Sequence, residues 1–320
     1  MQIKFRLNRE NKPRFSLQNR GGRRYNTRMR KFYDNSSFTI SVDADCDLHV
    51  AQLSAFGVIA RPHDYRADGI LCGNPDCESD YDRLSEELSD GKVLARNKPT
   101  REAYEDFFDS IFETGVRSLV HIAPDPEVSD DYSVAIKAAK NELIKFPRCE
   151  LYIVNSHAFS AGLLPIINEA ISLRDAGTNA AEAFVTLSSL SERVQTYFIP
   201  TDSPQTRDRF PVSAGGKVLN VRPVCRMTSG GKYSVTRKPR GNAMACSSLA
   251  KLAASASASE VYVSFGGSPD FAVALKRKLA ELLPGVQVEL SRTGLLADFL
   301  VGGDSTVVGF VDKSEKLEEK

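Results

Sequence analysis

The feature that most constrains the fold is a rhythm in the first half of the chain, where short apolar runs alternate with amphipathic ones. "FTISVDADCDL" (38–48) reads as a strand entering an acidic loop, with a helix opening near Leu48, and "FGVIARPH" (56–63) reads as a second short strand. "DYDRLSEELSDG" (80–91) and "TREAYEDFFDSIFETG" (100–115) carry apolar residues three and four apart, which predicts two helices, the second with Thr100 as its N-cap. "RSLVHIAPD" (117–125), "DYSVAIKAAKNELIKF" (131–146), "CELYIVNSH" (149–157) and "GLLPIINEAISLRDAG" continue as strand, helix, strand, helix. Parallel strands need crossover connections, so this order predicts a parallel sheet with helices on its faces. Ligands of open α/β sheets bind beyond the carboxyl ends of the strands. The acidic loop after the first strand and the loop at 123–130 are therefore expected at one edge.

The second half reads differently. Residues 180–200 predict a helix and a strand, and 217–241 predict two strands joined by a Ser-Gly-Gly turn. A helix (246–257), a strand (260–269), a helix (271–285) and two short strands, "VQVELS" and "TVVGFV", close the globular part. Hairpins mixed with helices predict an α+β unit with an antiparallel or mixed sheet. The expected organisation is a basic arm (1–37), a Rossmann-like α/β domain (38–187), an α+β domain (188–312) and a charged tail (313–320).

Charge separates the arm from the body. Residues 1–37 hold eleven Lys/Arg against Glu10 and Asp34, a net charge of +9, whereas the whole chain is +1 and the remainder is therefore about −8. Arg6, Arg9, Arg14, Arg20, Arg23, Arg24, Arg28, Arg30 and Lys31 are the candidate partner-binding residues, interleaved with Phe5, Phe15, Tyr25, Phe32 and Tyr33. That mixture suits phosphate contact with base stacking, which points to RNA or a ribonucleoprotein. Three other readings stay open: a protein partner such as the acidic body of a neighbouring subunit, a mitochondrial presequence, or a solvated tail.

Several function classes have no motif in the chain. G-x-G-x-x-G, a Walker loop and H-E-x-x-H do not occur, and the four histidines do not fall at metal-ligand spacings. Ser248-x-x-Lys251 lacks the companion motifs of a β-lactamase-type nucleophile. Asp43, Asp45 and Asp47 crowd one loop, a pattern read either as oxygen ligands for a divalent ion or, preferred here, as a polar strand-to-helix loop. His121 and His157 lie at strand ends and could approach each other. Six scattered cysteines, with only Cys72 and Cys77 close in sequence, argue for reduced thiols rather than zinc. No apolar run reaches the ~18–20 residues of a membrane span, and no secretory signal opens the chain. The expected setting is the cytoplasm, with mitochondria as the alternative. No cofactor and no metal are expected.

Read in order, the body resembles the DegV family. "VDADCDL" (42–48) resembles the family's V-T-D-S-T-A-D-L, and "YRADGILCGNPDCESDYDRLSE" (65–86) its Y-R-D-G stretch. "VHIAPDPEVSDDYSVAIKAA" (120–139) stands where I-x-I-S-S-x-L-S-G-T-Y-Q-S-A is expected. "YIVNSHAFSAGLL" (152–164) is similar to V-x-V-I-D-S-x-x-A-S-x-G-L. "NVRP" followed by a hairpin and "RGNAMA", and then "VYVSFGGSPDFAVALKRKL" (261–279), match the second half.

The resemblance implies a two-domain α/β protein that is not an enzyme by itself. It implies that a fatty acid or related anionic lipid is buried between the domains and presented to a fatty-acid kinase. Arg96, Asn97, Ser129, Arg292 and Thr293 are the candidate lipid head-group residues. They fall where the sequence departs from the family. T-T-S-Q-P-S is here Ala95-Arg96-Asn97-Lys98-Pro99-Thr100, and the S-S-x-L-S loop is a longer Ala123–Ser129 that gains Asp125 and Glu127. H-T-G-P-G is Arg292-Thr293-Gly294-Leu295-Leu296. Arginine's forked donors suit a carboxylate or phosphate. The alternative is a degenerate family member serving as a structural part of a nucleic-acid-containing assembly through its arm.

Overall fold

The computed structural model describes residues 37–44, 46–63, 65–72, 77, 79–80, 82–83, 94–201, 206, 220–228 and 232–314. The basic arm, Asp45, most of the 80–91 helix, the hairpin turn and the last six residues lie outside them.

The first half runs β1 (Thr39–Asp43), α1 (Val50–Ala55), β2 (Val58–Arg61), β3 (Tyr65–Ala67), β4 (Ile70–Cys72), β5 (Leu94–Arg96), α2 (Arg101–Phe112), β6 (Ser118–Ala123), α3 (Asp131–Lys145), β7 (Glu150–Asn155), α4 (Leu164–Asp175) and α5 (Ala180–Ser191). The second runs β8 (Val194–Ile199), β9 (Val224–Thr228), β10 (Lys232–Arg237), α6 (Gly241–Ser255), β11 (Glu260–Phe265), α7 (Asp270–Leu282), β12 (Gln287–Arg292), α8 (Leu295–Val301) and β13 (Thr306–Val311).

Among the described residues the first half forms a parallel four-stranded sheet in the order β2-β1-β6-β7. β1 is buried on both faces, as a central strand between helical layers must be. On one face α2 buries Tyr104, Phe108, Ile111 and Phe112, the stripe that the spacing predicts. Each such side chain contributes about 1.5–3 kcal/mol when fully buried. Thr100 accepts from the Ala103 amide, so the expected cap forms. The outcome for the first loop is also a capped helix, begun two residues later than expected: His49 and Gln52 cap α1 reciprocally.

The second half forms a six-stranded sheet in the order β10-β9-β8-β13-β11-β12. It is antiparallel except for the pair β11–β12, which is parallel because α7 crosses between those strands. This mainly antiparallel sheet is the α+β arrangement that the hairpin and helices of the second half predict. A three-stranded ribbon, β4-β3-β5, and helix α8 were not expected from the sequence.

One apolar core runs through both halves, taking in Ile40, Val42 and Phe159 together with Phe198, Tyr262 and Val307. The 3-10 turn Ser160–Gly162 is pressed against the second sheet. A Cβ at Gly162 would lie 2.1 Å from Thr196 Oγ1, and one at Gly309 in β13 would lie 2.4 Å from the Ala161 carbonyl oxygen. Only glycine permits that approach.

Candidate functional site

Four strand or helix ends bring charged side chains together at the carboxyl edge of the parallel sheet. Asp43 ends β1 and Arg61, its register partner, ends β2. Arg96 ends β5, and Asp131 opens α3, where the helix dipole favours a carboxylate. Tyr104 in the first turn of α2 donates to Asp43 Oδ1 at 2.8 Å and lies 3.1 Å from Asp131 Oδ1. Arg61 approaches Asp43 at 3.4 Å and Asp131 at 3.9 Å, and its guanidinium stacks 3.7 Å from the centre of the Tyr104 ring. Arg96 donates to Asp131, to the Tyr65 hydroxyl at 3.1 Å and toward His63 Nδ1 at 3.1 Å. Ser129 also donates to Asp131.

His63 fits this frame as the tautomer protonated on Nε2: Nδ1 accepts from both arginines, and Nε2 lies 3.3 Å from Asp43 Oδ1. Asp43, Asp131, His63, His121 and Tyr104 are all buried. Buried charges persist only when paired, and here two guanidinium groups face two carboxylates. Burial pushes the Asp43 carboxyl up, but the His121 and His63 rings outweigh it, so it sits well below the usual carboxylate value. Burial, then the neighbouring Asp43 and Asp131 charges, push the Tyr104 hydroxyl well above its usual value, so it remains a donor.

A divalent ion could bridge Asp43, His63 and Asp131, whose ligand atoms lie within 4.8 Å of one another. The same carboxylates carry Arg61 and Arg96, whose charges oppose a dication. Ser41, His121 and Asp43 also line up: Ser41 Oγ lies 2.9 Å from His121 Nδ1, and His121 Nε2 lies 3.4 Å from Asp43 Oδ2. The order is that of a hydrolytic triad, but Ser41 and His121 are fully enclosed and a nucleophile there meets no substrate. His121 packs against Tyr104 and Phe108 rather than turning to His157.

A second buried acid group lies where α8 meets the loop after β1. Asp47 accepts from the Gly294 amide at 2.6 Å and from Ser160. Thr293 donates to Asp298 Oδ1 at 2.7 Å. Burial holds the Asp298 carboxyl well above its usual value, and the Asp47 charge adds to that.

The expected head-group residues therefore divide. Arg96 and Ser129 meet on Asp131. Asn97 is exposed. Thr293 is committed to Asp298, and Arg292 reaches the Gly267 carbonyl at 3.3 Å and Asp82 at 3.7 Å. Asp43 and Asp47 serve different groups rather than one ion. Sequence reasoning missed Arg61, His63, Tyr104 and Asp131. The available signal was an arginine closing each of two short strands and an acid opening a helix.

Between the two large sheets lies a cleft of about 840 Å³ lined by Asp125, Glu127, Asn155, His157, Glu192 and Arg226 among others. Its wall is largely polar, with three acids beside Arg226 and His157. Burial raises the Asp125 carboxyl above its usual value. Among the described residues no helix is long and apolar enough to cross a membrane.

A parallel α/β sheet packed on a mixed sheet, with a polar cluster at the parallel sheet's carboxyl edge, defines a two-sheet α/β protein. The chain belongs to the DegV family, matching its description, "Uncharacterised protein, DegV family", over residues 37–313. A curated relative, the DegV domain-containing protein YteA of Lactococcus lactis, is 26% identical over 142 residues, which is 43% of this chain and 49% of that protein. The chain thus spans about half the length of the curated relative it matches.

Solved structures agree in fold. A DegV lipid-binding protein of Thermotoga maritima has a TM-score of 0.74 at 17% identity, covering 86% of this chain and 98% of that one. The Streptococcus pneumoniae fatty acid kinase (Fak) B3 protein loaded with linoleic acid gives 0.72 at 14%, covering 86% and 99%. A stearic acid-binding protein of Eubacterium ventriosum gives 0.73 at 19%, covering 86% and 98%. At these identities the likeness is one of fold.

Proposed function

We propose that this chain binds a fatty acid or related anionic lipid between a domain of residues 38–187 and one of residues 188–312. It does so without transforming the lipid, and it presents the head group to a fatty-acid kinase. The observation that carries the reading is the convergence of Arg96, Ser129, Arg61 and Tyr104 at the carboxyl edge of the parallel sheet. Guanidinium and hydroxyl donors gathered in a buried place recognise a carboxylate through charge-assisted bonds. The fold likeness to proteins described with linoleic and stearic acid supports the same ligand class.

The geometry of the described residues supports a role without catalysis. Ser41 and His121, aligned as nucleophile and base, are enclosed, and the cluster's remaining groups are charge pairs. Titrating the protein with linoleate and with stearate, by calorimetry, is expected to give saturable one-to-one binding, with the acid recovered unchanged. Adding a fatty-acid kinase and ATP should then consume the bound acid. Absence of saturable binding to either acid would overturn the reading.

A further inference from the structure

Arg96 and Ser129 stand among the donors expected to hold the lipid's head group, yet both already bond to a carboxylate that belongs to the protein. Asp131 is fully buried, and it takes Arg96, Ser129 and Tyr104 as partners. Arg61 and His63 lie within 3.9 Å of it. The acid at this point is local and permanent: it opens α3 and is bonded by Ser129, two residues before it.

We propose that Asp131 is a built-in occupant of the anion site, a tethered carboxylate that a lipid carboxylate must displace. The inference rests on the lipid-binding reading above and concerns how that site is regulated. A tethered ligand competes at an effective concentration of about millimolar or more, without dissociating. Two carboxylates sharing one set of donors also repel. The site is therefore competent only in the fraction of molecules whose Asp131 has turned aside, and apparent affinity falls by that fraction. A neutral head group on the same tail does not compete for the donors. The tethered acid thus lowers affinity for a free fatty acid while leaving affinity for the matching alcohol intact.

The test compares the wild-type full chain with Asp131→Asn, titrating each with linoleate and with linoleyl alcohol. Asparagine keeps the shape but removes the competing charge and leaves the guanidinium groups short of an anion. Linoleate should bind the variant roughly tenfold more tightly, with the alcohol changed by less than about threefold. Unchanged or weaker linoleate binding by a folded variant overturns the inference and leaves the lipid-binding reading standing. Equal tightening of acid and alcohol also overturns it, since that reports a loosened pocket. If neither protein binds linoleate, the lipid-binding reading fails and takes this inference with it. Should the variant not fold alone, it is refolded with each lipid. Recovery with linoleate only supports the tethered carboxylate, and recovery with both or with neither overturns it.

Discussion

The molecule holds two buried acid groups, and it treats them in opposite ways. At the carboxyl edge of the parallel sheet, Asp43 and Asp131 face Arg61 and Arg96, and Asp43 stays ionised far into acid. Beside α8, Asp298 has a hydroxyl partner in Thr293, and its carboxyl is held well above the usual value. Each is nearly out of solvent, so burial alone does not decide the charge. The neighbours decide it: the His121 and His63 rings hold Asp43 low, whereas Asp298 has one hydroxyl partner and the Asp47 charge nearby. A place that stocks guanidinium groups is one that can exchange one anion for another. A place that stocks a single hydroxyl suits a neutral acid, and its role is packing.

The comparison breaks most visibly if the arginines are removed. Arg61→Met leaves Asp43 buried without its guanidinium partner, and truncating one member of a buried pair costs about 3–5 kcal/mol. Chemical denaturation at neutral pH should show a loss of that size; a variant as stable as wild type would mean that the pairing is not what holds the edge.

Acid titration sharpens the contrast, because the two groups act on opposite sides of 3.8, the ordinary aspartate value. Asp43, depressed in the folded state, adds stability that is full above 3.8 and is lost as pH falls below it toward the folded value. Asp298, raised in the folded state, adds stability that is full below 3.8 and is lost as pH climbs toward its folded value. Asp298→Asn should therefore flatten the decline in stability above that pH while leaving the acid limb unchanged. A wild-type profile that rises throughout the weakly acidic range, with no change in the variant, contradicts the assignment.

The smallest effect is expected from the same substitution near its optimum. Since the Asp298 carboxyl is already neutral when folded in mild acid, the amide replaces it at a cost of about 1 kcal/mol or less, the scale of one neutral hydrogen bond. A loss as large as that of Arg61→Met would show that Asp298 carries a charge after all.

Where the sequence was readable, the information was local. Thr100 before an apolar stripe of three- and four-residue spacing marks α2, cap included. The alternation of strands with helices marks the parallel sheet, and the paired runs around residues 229–231 mark β9 and β10. Where it was not, the information was distributed. The strands β3 and β5 are three residues each and pair across an interval of 26 residues, so neither carries enough periodicity to announce itself. Helix α8 is apolar on nearly every side because both sheets' cores reach it, and a helix without a polar face has no stripe to read. The acid cluster draws single residues from β1, β2, β5, α2 and α3. Family motifs run through both Arg96 and Asp131, 35 residues apart, but only the fold shows that the two side chains meet. The motif resemblance pointed to Arg96 and Ser129 and passed over Arg61 and Tyr104, and only the fold brings the four together.

The measurement that bears most directly on this account is native mass spectrometry of the full chain as purified, repeated after incubation with linoleate and stearate. A single added mass of fatty-acid size, released on denaturation, is the predicted result. A bare polypeptide mass in all three samples would contradict it and leave the buried arginines paired with the protein's own carboxylates.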